Sequence, residues 1–104
     1  MLWFTGRHVP GEDPANPRRF DEQMNFGFST GDASLPEPYF YATAYPLPAA
    51  LPATPLPPGV EWFHNGWQGA VLRYARLVDV PDAEARLLDY WRTVQRAGAK
   101  LMLG

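Results

Sequence analysis

Apolar and polar positions alternate at a period of two in several short runs up to Tyr74, and recur at three- and four-residue steps beyond Asp82. The first pattern predicts β-strands and the second an amphipathic helix. Leu2 to Thr5 is apolar and β-prone, and Gly6 with the following HVPGEDPANP run is expected to end it in a polar loop. Over residues 20–30, Met24, Phe26, Phe28 and Thr30 share one face while Gln23, Asn25, Gly27 and Ser29 share the other. Over residues 39–45, Tyr39, Tyr41, Thr43 and Tyr45 lie opposite Phe40, Ala42 and Ala44. Pro38 and Pro46 each lack a backbone donor, which confines that strand to the segment between them.

Residues 60–64 and 67–74 flank Asn65-Gly66, a dipeptide suited to a two-residue type I′ hairpin in which both central residues take positive φ. With that turn Trp62 falls opposite Gly69 and His64 opposite Trp67, so an indole would lie over a position without a side chain. From 82 to 100 the pattern predicts a helix. Its apolar stripe is Leu87, Leu88, Trp91, Val94, Gly98 and Leu101, and Arg86, Asp89, Arg92 and Arg96 face outward. Pro81 suits its first turn, Asp82 and Glu84 its positive end, and Arg96 and Lys100 its negative end. The expected fold is a single α+β domain: an antiparallel sheet of four to five strands with one C-terminal helix on a face, packed through Leu87, Leu88, Trp91 and Val94. Trp91 is then the residue whose truncation costs most in the helix.

Composition adds size and exclusions. The hydrophobic share of 46 % and aromatic share of 14 % supply a core of large rings in a chain long enough for one domain. A net charge of -2 argues against binding nucleic acid by neutralising phosphates. Cysteine is absent, which removes disulfide and thiolate chemistry. No apolar run is long enough for a membrane span and the N-terminus does not read as a secretory signal, so a cytoplasmic location is the default expectation.

Eight of the twelve prolines fall between Leu35 and Gly59. Pro52, Pro55 and Pro58 recur at the period that aligns side chains along a polyproline II helix, so the tract reads either as a docking segment or as a stiff connector between strands. His8 and His64 lack partners at metal-ligand spacing, and neither a Walker-type phosphate loop nor a GxSxG elbow occurs; no metal or cofactor is expected, and the motifs lean away from an enzyme. Tyr39, Tyr41 and Tyr45 join apolar area to hydroxyl tips, a combination that suits a small polar ligand or a partner, unless the rings pack under the helix. Arg7 is a candidate anion clamp and Glu22 and Glu37 are candidate acid–base groups.

The run GFSTGDASLPEPYFYATAYPLP, with FTGR upstream and a hairpin and helix downstream, resembles the C-terminal part of a family of uncharacterised bacterial proteins, a domain of unknown function. Its longer members carry a GFWPG turn followed by PEPxFYxYAYPEP. By position the shared residues are Gly6, Arg7, Glu22, Gly27, Phe28, Gly31, Pro36, Glu37, Pro38, Phe40, Tyr41, Ala44, Tyr45, Pro46 and Pro48. No assigned reaction comes with the resemblance. Where those proteins read SHEV and GFWPG, this chain has FDEQ and GFSTG, so a pocket built on the missing histidine, tryptophan and proline is not expected here. If the N-terminal half of the longer members covers this sheet, a short form leaves an edge or apolar face bare, and self-association into a homodimer is expected. The leading expectation is therefore a non-catalytic binding or assembly module whose surface includes Tyr39, Tyr41, Tyr45 and Trp62. The alternative is a small-molecule or enzymatic pocket that adds Arg7 and Glu22, to be recognised by Glu22 and two tyrosines converging in an enclosed cavity.

Overall fold

Alternation of large rings with small or polar residues makes each strand two-faced, and the computed structural model, which describes residues 2–13, 15–16 and 21–103, assembles five such strands into one sheet. The strands are β1 (Leu2–His8), β2 (Asp21–Ser29), β3 (Tyr39–Tyr45), β4 (Val60–His64) and β5 (Gln68–Arg73), in spatial order β1-β2-β3-β5-β4 with every pair antiparallel. Among the described residues one α-helix, α1 (Ala83–Leu103), packs on one face. The fold is thus α+β with a five-stranded antiparallel sheet and a C-terminal helix.

The run Gly69-Ala70-Val71-Leu72 is buried throughout, which suits β5 to an interior position between β3 and β4. The segment from Pro46 to Gly59 must therefore cross from β3 past β5 to β4. It does so with a single 3-10 turn, Leu51–Ala53, whose Leu51 is fully buried and anchors the connector beside α1. Pro52 lies inside that turn, so the tract is a folded connector rather than a continuous polyproline II segment.

Met24 and Phe26 from β2, Ala42 from β3 and Ala70 and Leu72 from β5 form the floor on which α1 rests. Small residues there let the helix come close: a Cβ on Gly98 would lie 2.6 Å from the Met24 sulfur. The Trp91 ring meets Phe26 and Phe40 edge-on, with centroids 6.0 and 6.2 Å apart. Tyr90 is completely buried, and its hydroxyl donates to the carbonyls of Ala70 and, at 3.3 Å, Phe40. Burial of the phenol pushes its ionisation well above the ordinary tyrosine value.

Several expectations are corrected. β1 continues through Gly6 to His8, because a bulge between Phe4 and His8, with Gly6 at φ 87°, re-aims the strand without ending it. Phe20, expected in β2, lies outside the described residues. The β4–β5 hairpin encloses three residues, Asn65 to Trp67, and of these only Gly66 takes positive φ. Trp62 consequently opposes Ala70, Phe63 opposes Gly69 and His64 opposes Gln68, one step from the expected register. Trp67 is drawn into the loop by a stacking partner on β3 described below. In α1 the buried stripe is Tyr90, Val94, Gly98 and Met102, while Leu88 is 40 % exposed and Leu101 is also exposed. Leu88 sits about 100° round the helix from Leu87, so both cannot point at a flat sheet. Pro81 precedes the helix; the first helical bond runs from Arg86 N to the Asp82 carbonyl.

Candidate functional site

Because Phe40, Ala42 and Ala44 turn toward α1, strand alternation places Tyr39, Tyr41, Thr43 and Tyr45 on the opposite face of the sheet. The tyrosine row does not pack under the helix. Gln23, Asn25, Gly27 and Ser29 of β2, Val71 and Arg73 of β5, and Leu2 and Phe4 of β1 share this face by register.

The three tyrosines have different surroundings. Tyr39 is buried, stacks on Trp67 with centroids 5.8 Å apart and rings 19° from parallel, and packs with Leu35 and Val71. Its hydroxyl donates to Asp32 Oδ2 at 2.6 Å. Asp32 Oδ1 accepts from Ser34 Oγ, Ser34 N and Leu35 N, and Ser34 Oγ in turn accepts from Trp67 Nε1 at 2.9 Å. The Ser34 hydroxyl, the Tyr39 hydroxyl and the backbone donors hold the Asp32 carboxyl down at a pKa of about 2. Burial, and its bond to Asp32, push the Tyr39 phenol up. This cluster ties the β2–β3 loop to Trp67 of the β4–β5 loop.

Tyr41 lies across β2 at Gly27, where an added Cβ would stand 2.5 Å from the tyrosine oxygen. Gly27 is therefore the residue that allows the ring to lie flat. The Tyr45 hydroxyl donates to Glu12 Oε1 at 3.3 Å. Tyr41, Thr43 and Tyr45 line an open groove of about 710 Å³ with Leu2, Asn16, Gln23 and Asn25. Every described lining side chain is uncharged. Gln23 is 4 % exposed; its Nε2 donates to the Asp21 carbonyl and its Oε1 accepts from Asn25, so an oriented pair of amides forms part of the floor.

The remaining sequence candidates lie elsewhere. Glu22 belongs to the helix side, where its Oε1 accepts from Thr5 Oγ1 at 2.9 Å near Pro46 and Met102. Arg7 donates to the Leu103 carbonyl at 3.0 Å, tying the first strand to the end of the helix. Trp62 packs against the core beneath α1, with its Nε1 buried and without a hydrogen-bond partner among the described residues. Glu37 is paired with Arg73, which also holds Glu61 at 2.7 Å. His8 pairs with Asp21 at 2.9 Å on the β1–β2 edge. Glu22 and Arg7 are thus separated from the tyrosines by the sheet, whereas Glu37 joins Arg73 on the tyrosine face.

Asp32, Ser34, Trp67, Gln23, Asn25 and Gly27 are the site residues that sequence reasoning passed over. An Asp two residues before a Ser is a signal for a side-chain-capped turn, and a glycine opposite a tyrosine on a neighbouring strand is a signal for a flat ring.

No helix is long and apolar enough to cross a membrane among the described residues. Over residues 4–103 the chain matches the family described as "Family of unknown function (DUF5996)", and it belongs to that family. Neither a curated protein nor a solved structure matches it.

Proposed function

We propose that this chain is a non-catalytic binding and assembly module that pairs with a second copy of itself through the edge of β1 and the adjoining tyrosine face. The observation that carries the proposal is the placement of the helix and the tyrosine row on opposite sides of the sheet. That placement leaves Tyr41 and Tyr45 on an open surface, continuous with Leu2 and Phe4, which are 54 % and 47 % exposed on an edge strand. An edge strand with apolar side chains and unpaired backbone groups invites pairing by another strand. The other edge, β4, is short and carries Glu61 locked to Arg73 on the same face, which makes it the poorer template. The separation of Glu22 and Arg7 from the tyrosines speaks against a catalytic pocket that combines them. The bacterial and cytoplasmic setting expected from the sequence belongs to the same proposal.

Light scattering tests it directly. The wild-type chain is expected to run at twice its 11.7 kDa mass at tens of micromolar and to dissociate on dilution. Phe4→Lys, which places a charge on the edge, is expected to run as a monomer and to match the melting temperature of wild type diluted until it too is monomeric. A wild-type monomer at that concentration, with no dependence on dilution, would refute the proposal.

A second reading has its own observation: the oriented amides of Gln23 and Asn25 between two tyrosines suit a small, uncharged polar ligand. A thermal-shift screen against neutral metabolites separates the two, since a ligand at a hundred times its Kd adds about 2.7 kcal/mol. Stabilisation lost in Tyr41→Ala supports a ligand, and no stabilisation across the screen removes this second reading.

A further inference from the structure

On the helix side, at the end of the sheet away from β1, the connector, β4, β5, the 3-10 turn Tyr74–Arg76 and the first turns of α1 enclose a cavity of about 450 Å³. Its floor is apolar: Leu72 and Leu77 are buried and Val60 is partly so. One wall is Pro57-Pro58, which brings no backbone donor to compete for a ligand. Two guanidinium groups from separate elements border it, Arg76 from the turn and Arg86 from the helix.

Their charges are unequally used. Arg86 donates Nε to Asp82 Oδ1 at 3.1 Å in a solvent-exposed pair, which leaves its terminal amino groups available. Arg76 has no hydrogen-bond or ion-pair partner among the described residues, unlike Arg73 three residues earlier, which holds two glutamates. Among the described residues that line the cavity, Asp89 is the acidic one beside the two arginines, of which Arg86 is also paired with Asp82.

We infer that this cavity binds a small organic carboxylate with an apolar body. The apolar part would lie on Leu72, Leu77 and Val60, and the carboxylate would be held at the mouth by Arg76 and Arg86. A guanidinium matches a carboxylate in geometry and charge, and an apolar floor rewards a hydrocarbon body, so both halves of the ligand are needed for selectivity. Asp89 would disfavour a dianion and set the preference for a single carboxylate. The site is independent of the tyrosine face and of the self-association proposed there.

Phenylacetate, 2-phenylethanol and acetate are suitable probes, titrated into the labelled protein while amide shifts are followed by NMR. Phenylacetate is expected to give saturable shifts centred on Gly59, Leu77 and Arg86, with a Kd on the order of 1 mM for a ligand of this size. The uncharged alcohol and the anion without a ring should each bind about tenfold more weakly or worse. Arg76→Gln and Arg86→Gln should each weaken phenylacetate about tenfold while the rest of the spectrum superposes on wild type. Equal binding of 2-phenylethanol, shifts centred elsewhere, unchanged affinity in Arg76→Gln, or the absence of any saturable shift would each overturn the assignment.

Discussion

At the scale of single residues, Asp32 is a carboxylate whose chemistry the fold alters. Its carboxylate gathers the Tyr39 and Ser34 hydroxyls and two backbone amides, so the charged form is favoured in the folded state and its pKa falls to about 2. A depressed folded-state pKa means that the unfolded chain takes up the proton first as pH falls. The stabilisation is therefore complete above the ordinary aspartate value of 3.8 and is lost progressively as pH falls from there toward 2. Melting curves between pH 6 and pH 2 should fall more steeply for wild type than for Asp32→Asn below about pH 4, the ordinary range for an aspartate. Parallel slopes would mean that Asp32 keeps its ordinary pKa in the folded protein. The turn residues behind this effect were present in the sequence as a Gly-Asp-Ala-Ser run, readable as a turn. What could not be read there was that Tyr39 and Trp67, far apart along the chain, would converge on it.

At the scale of elements, the helix rests on Tyr90 more than on Trp91. The Tyr90 ring has no exposed surface and its hydroxyl bonds to two strand carbonyls, whereas Trp91 is only partly buried at the edge of the same cluster. Tyr90→Ala should cost about 3 to 5 kcal/mol and Trp91→Ala less, while Tyr90→Phe, which keeps the ring, should cost about 0.5 to 1.5 kcal/mol. Denaturant unfolding of the three variants checks the order, and a Trp91→Ala cost equal to or above that of Tyr90→Ala would reverse the assignment. The strands were legible because proline and alternation bound them: β3 runs from Tyr39 to Tyr45 as its flanking prolines dictate. The helix was legible in place but not in phase, since Leu87, Leu88 and Trp91 read as one apolar stripe until the sheet selects the side with Tyr90. The hairpin was misread by one residue because Asn65-Gly66 signals a two-residue turn, and the gain from stacking Trp67 on Tyr39 is a tertiary term that local sequence does not carry. Which face the helix covers was hidden for a related reason. Both faces of β3 are rich in aromatic or apolar residues, and the helix settles where small residues leave room, Ala42 and Ala70 on the sheet and Gly98 against the Met24 side chain.

At the scale of the whole molecule, the sheet acts as a partition. The tyrosine face and the edge of β1 lie on one side, and the cavity bordered by Arg76 and Arg86 lies on the other, toward β5 and β4. The strand order puts β1 and β5 three spacings apart, about 14 Å at the usual interstrand distance. Sites this far apart with no shared side chain should respond additively, within about 0.5 kcal/mol. Phe4→Lys should therefore bind phenylacetate with wild-type affinity although it no longer dimerises, and Arg76→Gln should dimerise as wild type although it holds the anion about tenfold more weakly. Measuring both properties on the same two variants checks the partition. If saturating phenylacetate shifts the dimer equilibrium, or if Phe4→Lys weakens the anion about tenfold, the two faces are coupled through the sheet. Ala42 and Ala70, which pair directly between β3 and β5 beneath the helix, would then be the place to look for the coupling.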